Sequence, residues 1–318
     1  MRNLPFGLDL VRRSPDLLAA AGLLACSVAL PNHVMASEAD CEGWGDEAFF
    51  READFATAVA CLDAEAPVDI RAPDGETPLH WAAAYAEDPR IIARLISFGA
   101  DPNSRRADGY TPLHMAAEQS VQPSVIVNLA LNGADPGSII ERDGGFWATK
   151  GTTALHLAAR RGDVATMVAA LLLSGSKVDT PDQDGRNALH EVARSPTGLA
   201  TVEILMLEDP DAANRRDESG GWTPLHIAAT HNPAAAIVAT MVRHGADPKK
   251  TNDDDRTPLH MAAAYNQSPA VLEVLLDATD EPCAKDKDDA SALEYAVGND
   301  AIKNTPVYWR IHELCYTR

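Results

Sequence analysis

The heptapeptide Thr-Pro-Leu-His-Met-Ala-Ala is spelled twice in this chain, at Thr111–Ala117 and again at Thr257–Ala263. Aligning the chain on it gives TPLHWAA from Thr77, TALHLAA from Thr153, NALHEVA from Asn187, TPLHIAA from Thr223 and a decayed SALEYAV from Ser291. Successive phrases start 34, 42, 34, 36, 34 and 34 residues apart. A fixed phrase at such a period marks a solenoid, in which each unit cannot bury its apolar face alone and stacks on its neighbour.

Each phrase reads as a helix start. Thr77, Thr111, Thr153, Thr223 and Thr257 stand where an N-cap hydroxyl satisfies a free backbone N–H, and in four of the five a proline follows at the first helical position. The alanines permit close approach, and the apolar residue after the histidine (Trp81, Met115, Leu157, Ile227, Met261) fills the gap between repeats. About 12 residues on, Asp88-Pro89, Gln122-Pro123, Ser195-Pro196, Asn232-Pro233 and Ser268-Pro269 predict a second helix opened by a polar cap and a proline. Its apolar spacing is helical, as in Ile91, Ile92, Leu95 and Ile96. Gly99, Gly133, Gly175 and Gly245 then supply the left-handed turn that ends it.

The phrase resembles the ankyrin repeat, as do the Asp-Gly just before several copies and Gly-Ala-Asp-Pro at 99, 133 and 245. The resemblance covers residues 42–316 and implies an all-α repeat solenoid of ankyrin-type helix-turn-helix units with hairpin fingers, capped at both ends. The boundaries expected are a signal peptide over 1–36, an N-terminal cap over 37–73, six repeats over 74–287 and a C-terminal capping repeat over 288–318. Six of the ten histidines (His80, His114, His156, His190, His226, His260) share one repeat position. There the family uses the ring to tie a helix to the backbone of adjacent turns. Standing a repeat apart, they cannot share one metal ion, whose ligand bonds are near 2 Å.

Arg2, Arg12 and Arg13 precede an apolar run, Leu17–Leu30, of 14 residues. That is short of the roughly 20 a membrane helix needs, and the pattern looks like a secretory signal cleaved after Ala36. An N-terminal membrane anchor, or a lipobox-like Leu-Leu-Ala-Cys ending at Cys26 that would tether the protein by lipid, are the alternatives. Removal of 1–36 leaves Cys41, Cys61, Cys283 and Cys315, two near each end and none between. Disulfides Cys41–Cys61 and Cys283–Cys315 are expected, each pinning one cap in an oxidising compartment.

The formal charge of -20 argues against nonspecific binding to nucleic acid or anionic membrane, and membrane contact is expected only with lipid at Cys26. The sequence contains no phosphate-binding glycine loop, no nucleophile elbow and no paired zinc-protease histidines. The aspartate runs at 252–256 and 285–290 lack calcium-loop spacing. No enzyme, cofactor or metal is expected.

The resemblance implies that a protein partner meets the concave face, at the residue before each Thr and the two after the second alanine. On that mapping the candidates are Tyr110, Arg160, Arg161, Arg186, Arg194, Trp222, His231, Arg256 and Tyr265, with Phe146 and Trp147 on a lengthened finger. Five arginines on one face of an acidic chain point to a partner that is acidic there. The expected function is an exported bacterial protein-interaction module, periplasmic or secreted. The alternatives are an inhibitor or immunity protein for a secreted enzyme, and a periplasmic scaffold for stress or envelope maintenance.

Overall fold

The structure, a computed structural model, describes residues 41–120, 122–142 and 148–316. The signal segment, Cys26, Phe146 and Trp147 lie outside the described residues. Helices come in pairs, beginning with α1 (Glu47–Glu52) and α2 (Phe55–Asp63). The phrase forms the first helix of each later pair: α3 (Pro78–Tyr85), α5 (Pro112–Gln119), α7 (Ala154–Arg161), α9 (Ala188–Val192), α11 (Pro224–His231), α13 (Pro258–Tyr265) and α15 (Ala292–Val297). The second helices are α4 (Arg90–Ser97), α6 (Pro123–Leu131), α8 (Ala165–Leu173), α10 (Leu199–Glu208), α12 (Ala235–Arg243), α14 (Pro269–Ala278) and α16 (Pro306–Tyr316). First helices pack on first helices and second on second, giving an inner and an outer row. Among the described residues the β pairing is limited to one isolated bridge, Ile139 to Thr153.

Packing follows the phrase. Its leucine and alanines are buried in every copy, and Met115, Leu157, Ile227 and Met261 are closed between repeats, whereas Trp81 stays half-buried and donates its indole N–H to Gly45 O (3.1 Å). The outer row contributes pairs such as Ile91 and Leu95, or Val271 and Leu275, each at most 1% exposed. At about 25 cal/mol per Å² of apolar area, these interfaces are what make one repeat depend on the next. The outer helices end at Gly99, Gly133, Gly175 and Gly245, whose φ values of 94 to 108° are open to glycine at little cost.

Two second helices start later than the proline rule places them. Helix α12 begins at Ala235 rather than after Asn232, and α10 begins at Leu199 rather than after Ser195. The cause in the first case is the Asn232 side chain. Its amide donates to Ala193 O and Ser195 O of the preceding repeat (both 2.9 Å), which holds the segment extended before the helix can begin. In the second, α9 stops at Val192 and residues 195–198 form a turn, Gly198 N–H donating to Ser195 O (3.3 Å).

Both disulfides are present, Cys41–Cys61 and Cys283–Cys315, joining residues 20 and 32 apart. The first ties the segment ahead of α1 to α2, beside a cluster of Trp44, Phe49 and Phe50. The second ties the last finger to α16.

Candidate protein-binding face

The inner row is registered by its histidines. In each of the six copies the ring Nδ1 accepts the backbone N–H of the capping Thr or Asn at 3.1–3.2 Å. That fixes the proton on Nε2, which donates to the next repeat: His80 to Tyr110 O, His114 to Thr152 O, His156 to Arg186 O, His190 to Trp222 O, His226 to Arg256 O and His260 to Ala284 O. Five of these acceptors are the residues immediately before the next phrase, so the ring fixes the backbone that carries the expected contact side chains. Burial pushes the pKa of His80, His114, His190 and His226 down to about 4, against a smaller upward pull from the carbonyl bond. The rings are therefore neutral at pH 7 and serve as struts.

The fingers are stitched by a second repeated contact. Arg186 Nε donates to Asp217 (3.4 Å) and Arg256 Nε to Asp286 (3.0 Å), in each case one repeat onward. Arg256 also meets Asp288 and Asp254 and lies over the Tyr295 ring at 5.2 Å. Burial would raise the Asp286 pKa, but hydrogen bonds from Tyr295 and Arg256 outweigh it and hold the carboxyl well below its ordinary range. Arg160 pairs with Glu191 at 3.0 Å. These arginines are half-buried and already opposed by carboxylates of the same chain, so their charge is largely spent within the array.

Two expected contact residues are corrected outright. Tyr110 is only 4% exposed, sandwiched between the Arg106 guanidinium and His114. Burial raises its phenol pKa and takes it off the face. Arg161 turns back and donates to Ala117 O (3.2 Å) and Ser120 O (2.6 Å), closing the C-terminal end of α5. Asn232, Asn266 and Asn299 bond the equivalent carbonyls elsewhere, Ala193, Ala229 and Ala263. Sequence reasoning missed this asparagine ladder, although an Asn eight or nine residues after the cap in three copies is the signal that marks it. Trp222 is half-buried, with its N–H held by Asp217 and its carbonyl by His190.

Arg194, His231 and Tyr265 remain exposed, at or just beyond the ends of α9, α11 and α13. Among the described residues no carboxylate lies within ion-pair distance of Arg194. Its charge reaches His231, whose pKa is lowered by burial first and by Arg194 second. Arg194 also lines a cleft of about 420 Å³ shared with Arg160, Arg186, Asp182, Asp184 and Glu191. The arrangement presents a guanidinium with no ion-pair partner, a neutral imidazole and a phenol on successive repeats, with Arg194 also lining the recess that holds Asp182, Asp184 and Glu191. It can accept hydrogen-bonding and acidic groups of a second protein. Among the described residues no group of His, Cys, Asp and Glu side chains is placed to hold a metal.

A family model described as Ankyrin repeats (3 copies) matches residues 52–140, 121–216, 155–252, 191–286 and 225–304. The chain belongs to the ankyrin-repeat family. It is similar to the human ASB11 ankyrin repeat domain (TM-score 0.59, 24% identity, covering 74% of this chain and 97% of that one). It is also similar to the ankyrin repeat domain of Bcl-3, described as a member of the IkappaB protein family (TM-score 0.61, 24% identity, covering 76% and 99%). Among sequence relatives, Zygote-specific protein 3 of Chlamydomonas reinhardtii is 35% identical over 101 residues, which is 32% of this chain and 26% of that protein. Protein phosphatase 1 regulatory subunit 27 of Mus musculus is 35% identical over 95 residues, 30% of this chain and 59% of that protein. The chain thus spans less than two thirds of either relative. The ankyrin fold is typically a non-enzymatic scaffold, and the repeats make this chain a protein–protein interaction module. The partner is a property of the site and not of the fold.

Proposed function

We propose that this ankyrin module is exported to a bacterial periplasm or to the cell exterior, and captures a protein partner on its inner row around Arg194, His231 and Tyr265. The observation that carries the site is the unopposed charge of Arg194, set on an inner row whose other candidate arginines are paired or turned inward. An exposed guanidinium, followed on the next two repeats by an imidazole and a phenol, is the kind of group that dominates interface energetics, and its natural complement is a carboxylate of the partner. Export is supported by disulfides in both caps, which persist in oxidising compartments, and by the arginine-then-apolar N-terminal pattern.

The test is affinity capture of the processed protein from its native cell envelope, with Arg194→Glu and Tyr265→Asp variants alongside. We expect one partner held by the wild type and weakened on the order of tenfold or more by either variant, about 1.4 kcal/mol. Identical capture by all three removes this face. The purified native protein should begin at Ser37; an intact N-terminus in the cytosol would discard export.

A further inference from the structure

The outer row carries a second surface, separate from the inner one. Leu131 of α6, Leu173 of α8 and Leu207 of α10 are 81%, 91% and 67% exposed. Each lies two residues after the leucine that plugs its repeat, Leu129, Leu171 or Leu205, all with no exposed surface. The three therefore stand at one repeat position on three consecutive, mutually packed helices. In other repeats that position is polar: Ser97, Arg243 and Asp277. Helices α6 and α8 contain no charged residue from end to end, in a chain that is 23% charged with net charge -20.

We propose that this face is where a second copy of the chain docks. The choice of occupant follows from charge. Two molecules of this acidity repel wherever fingers or caps approach. Over α6 and α8 they can touch without setting one charged group against another, since neither helix carries any. A two-fold axis running along α8 sets Leu173 against the partner's Leu173 and Leu131 against the partner's Leu207. It also sets Glu203 and Glu208 of α10 opposite the outer face of α6, which carries Ser124, Asn128 and Asn132 and no carboxylate. A lipid surface fits less well, because these helices offer no cation to an anionic headgroup. The leucines with Val127 offer on the order of 500 Å² of apolar surface per copy, so about 1,000 Å² in the pair, the lower bound of a specific interface. A contact at that lower bound is expected to be weak and concentration-dependent. It leaves both inner rows facing outward, so a partner with repeated sites would be held bivalently.

The experiment is sedimentation equilibrium on the full chain as the cell processes it, from about 1 to 200 µM, a range bracketing micromolar dissociation. We expect a monomer–dimer equilibrium in which Leu173→Glu raises the dissociation constant roughly a hundredfold and Arg194→Glu leaves it unchanged. Leu173→Cys treated with oxidised glutathione, which takes up the two electrons and is released as the reduced thiol, should form a covalent dimer. Because Leu173 is almost fully exposed, the Leu173→Glu variant should unfold at the wild-type urea midpoint when both are measured well below the dissociation constant, which separates loss of docking from loss of fold. A monomer across the whole range, a dimer indifferent to Leu173→Glu, or one broken by Arg194→Glu overturns the proposal.

Discussion

Asn266 makes three hydrogen bonds with one side chain. Its amide donates to Ala229 O (2.8 Å) and Asn232 O (3.0 Å) of the preceding repeat, and its Oδ1 accepts the Ser268 N–H (2.8 Å) at the entry to α14. The residue is 2% exposed, so water cannot replace these partners. Truncation would leave two carbonyls and one amide unsatisfied, at about 1–3 kcal/mol for a buried group. We predict that Asn266→Ala destabilises by about 3 kcal/mol in urea unfolding at pH 7. Asn266→Asp, nearly the same shape, should be no better, because its carboxylate oxygen would face two carbonyl oxygens. The same logic explains Arg161, a different residue meeting the equivalent carbonyls of α5.

Helices differed in how far their positions could be read from sequence. The inner helices were legible because Thr, Pro and His specify a cap, a first turn and a strut within four residues. The outer start at Ala235 was not, since the competing bond of Asn232 runs to another repeat and a local cap rule does not see it, and the start at Leu199 was not, since a turn over residues 195–198 comes before the helix. Two residues of the contact strip, Tyr110 and Arg161, lay elsewhere for a related reason. The same offset from the phrase gives Arg161, folded back onto α5, and His231, turned outward, so exposure is decided by what the neighbouring repeat offers. The cap disulfides were legible from the clustering of cysteines at the two ends. The Cys283–Cys315 bond closes a 32-residue span over the last two helices, worth roughly 3–4 kcal/mol in the loop-entropy account. Because repeats are coupled mainly to their neighbours, a Cys283→Ser/Cys315→Ser variant should fray from that end. Hydrogen exchange would show amides of α15 and α16 losing protection while those of α11 and α12 keep theirs. Uniform loss along the array would contradict this.

Across the whole molecule the struts act together, and they make the array acid-sensitive. Four of the six histidines have folded pKa values near 4, set by burial, against about 6.5 in the unfolded chain. Below pH 6.5 the unfolded state therefore binds protons that the folded state refuses. Their stabilisation is complete above about pH 6.5 and is lost as pH falls towards 4. At pH 5 each would have given up about 2 kcal/mol, on the order of 8 kcal/mol for the four, comparable with the total stability of an ordinary domain. The carboxyls held low in the fold, such as Asp217, Asp286 and Glu294, contribute their own acid loss only below about pH 4, where unfolded carboxylates protonate. The window between pH 6.5 and 5 thus belongs to the histidines. We predict that the urea midpoint falls steeply across it, with a slope of several protons taken up on unfolding. His226→Gln should be less stable at pH 7 yet show about one proton less of slope. A midpoint that stays flat from pH 7 to 5 would mean that the rings take up protons as readily in the fold as in the unfolded chain, and that the bond each Nδ1 accepts from its capping backbone N–H, which protonation removes, is not what holds the phrase in place.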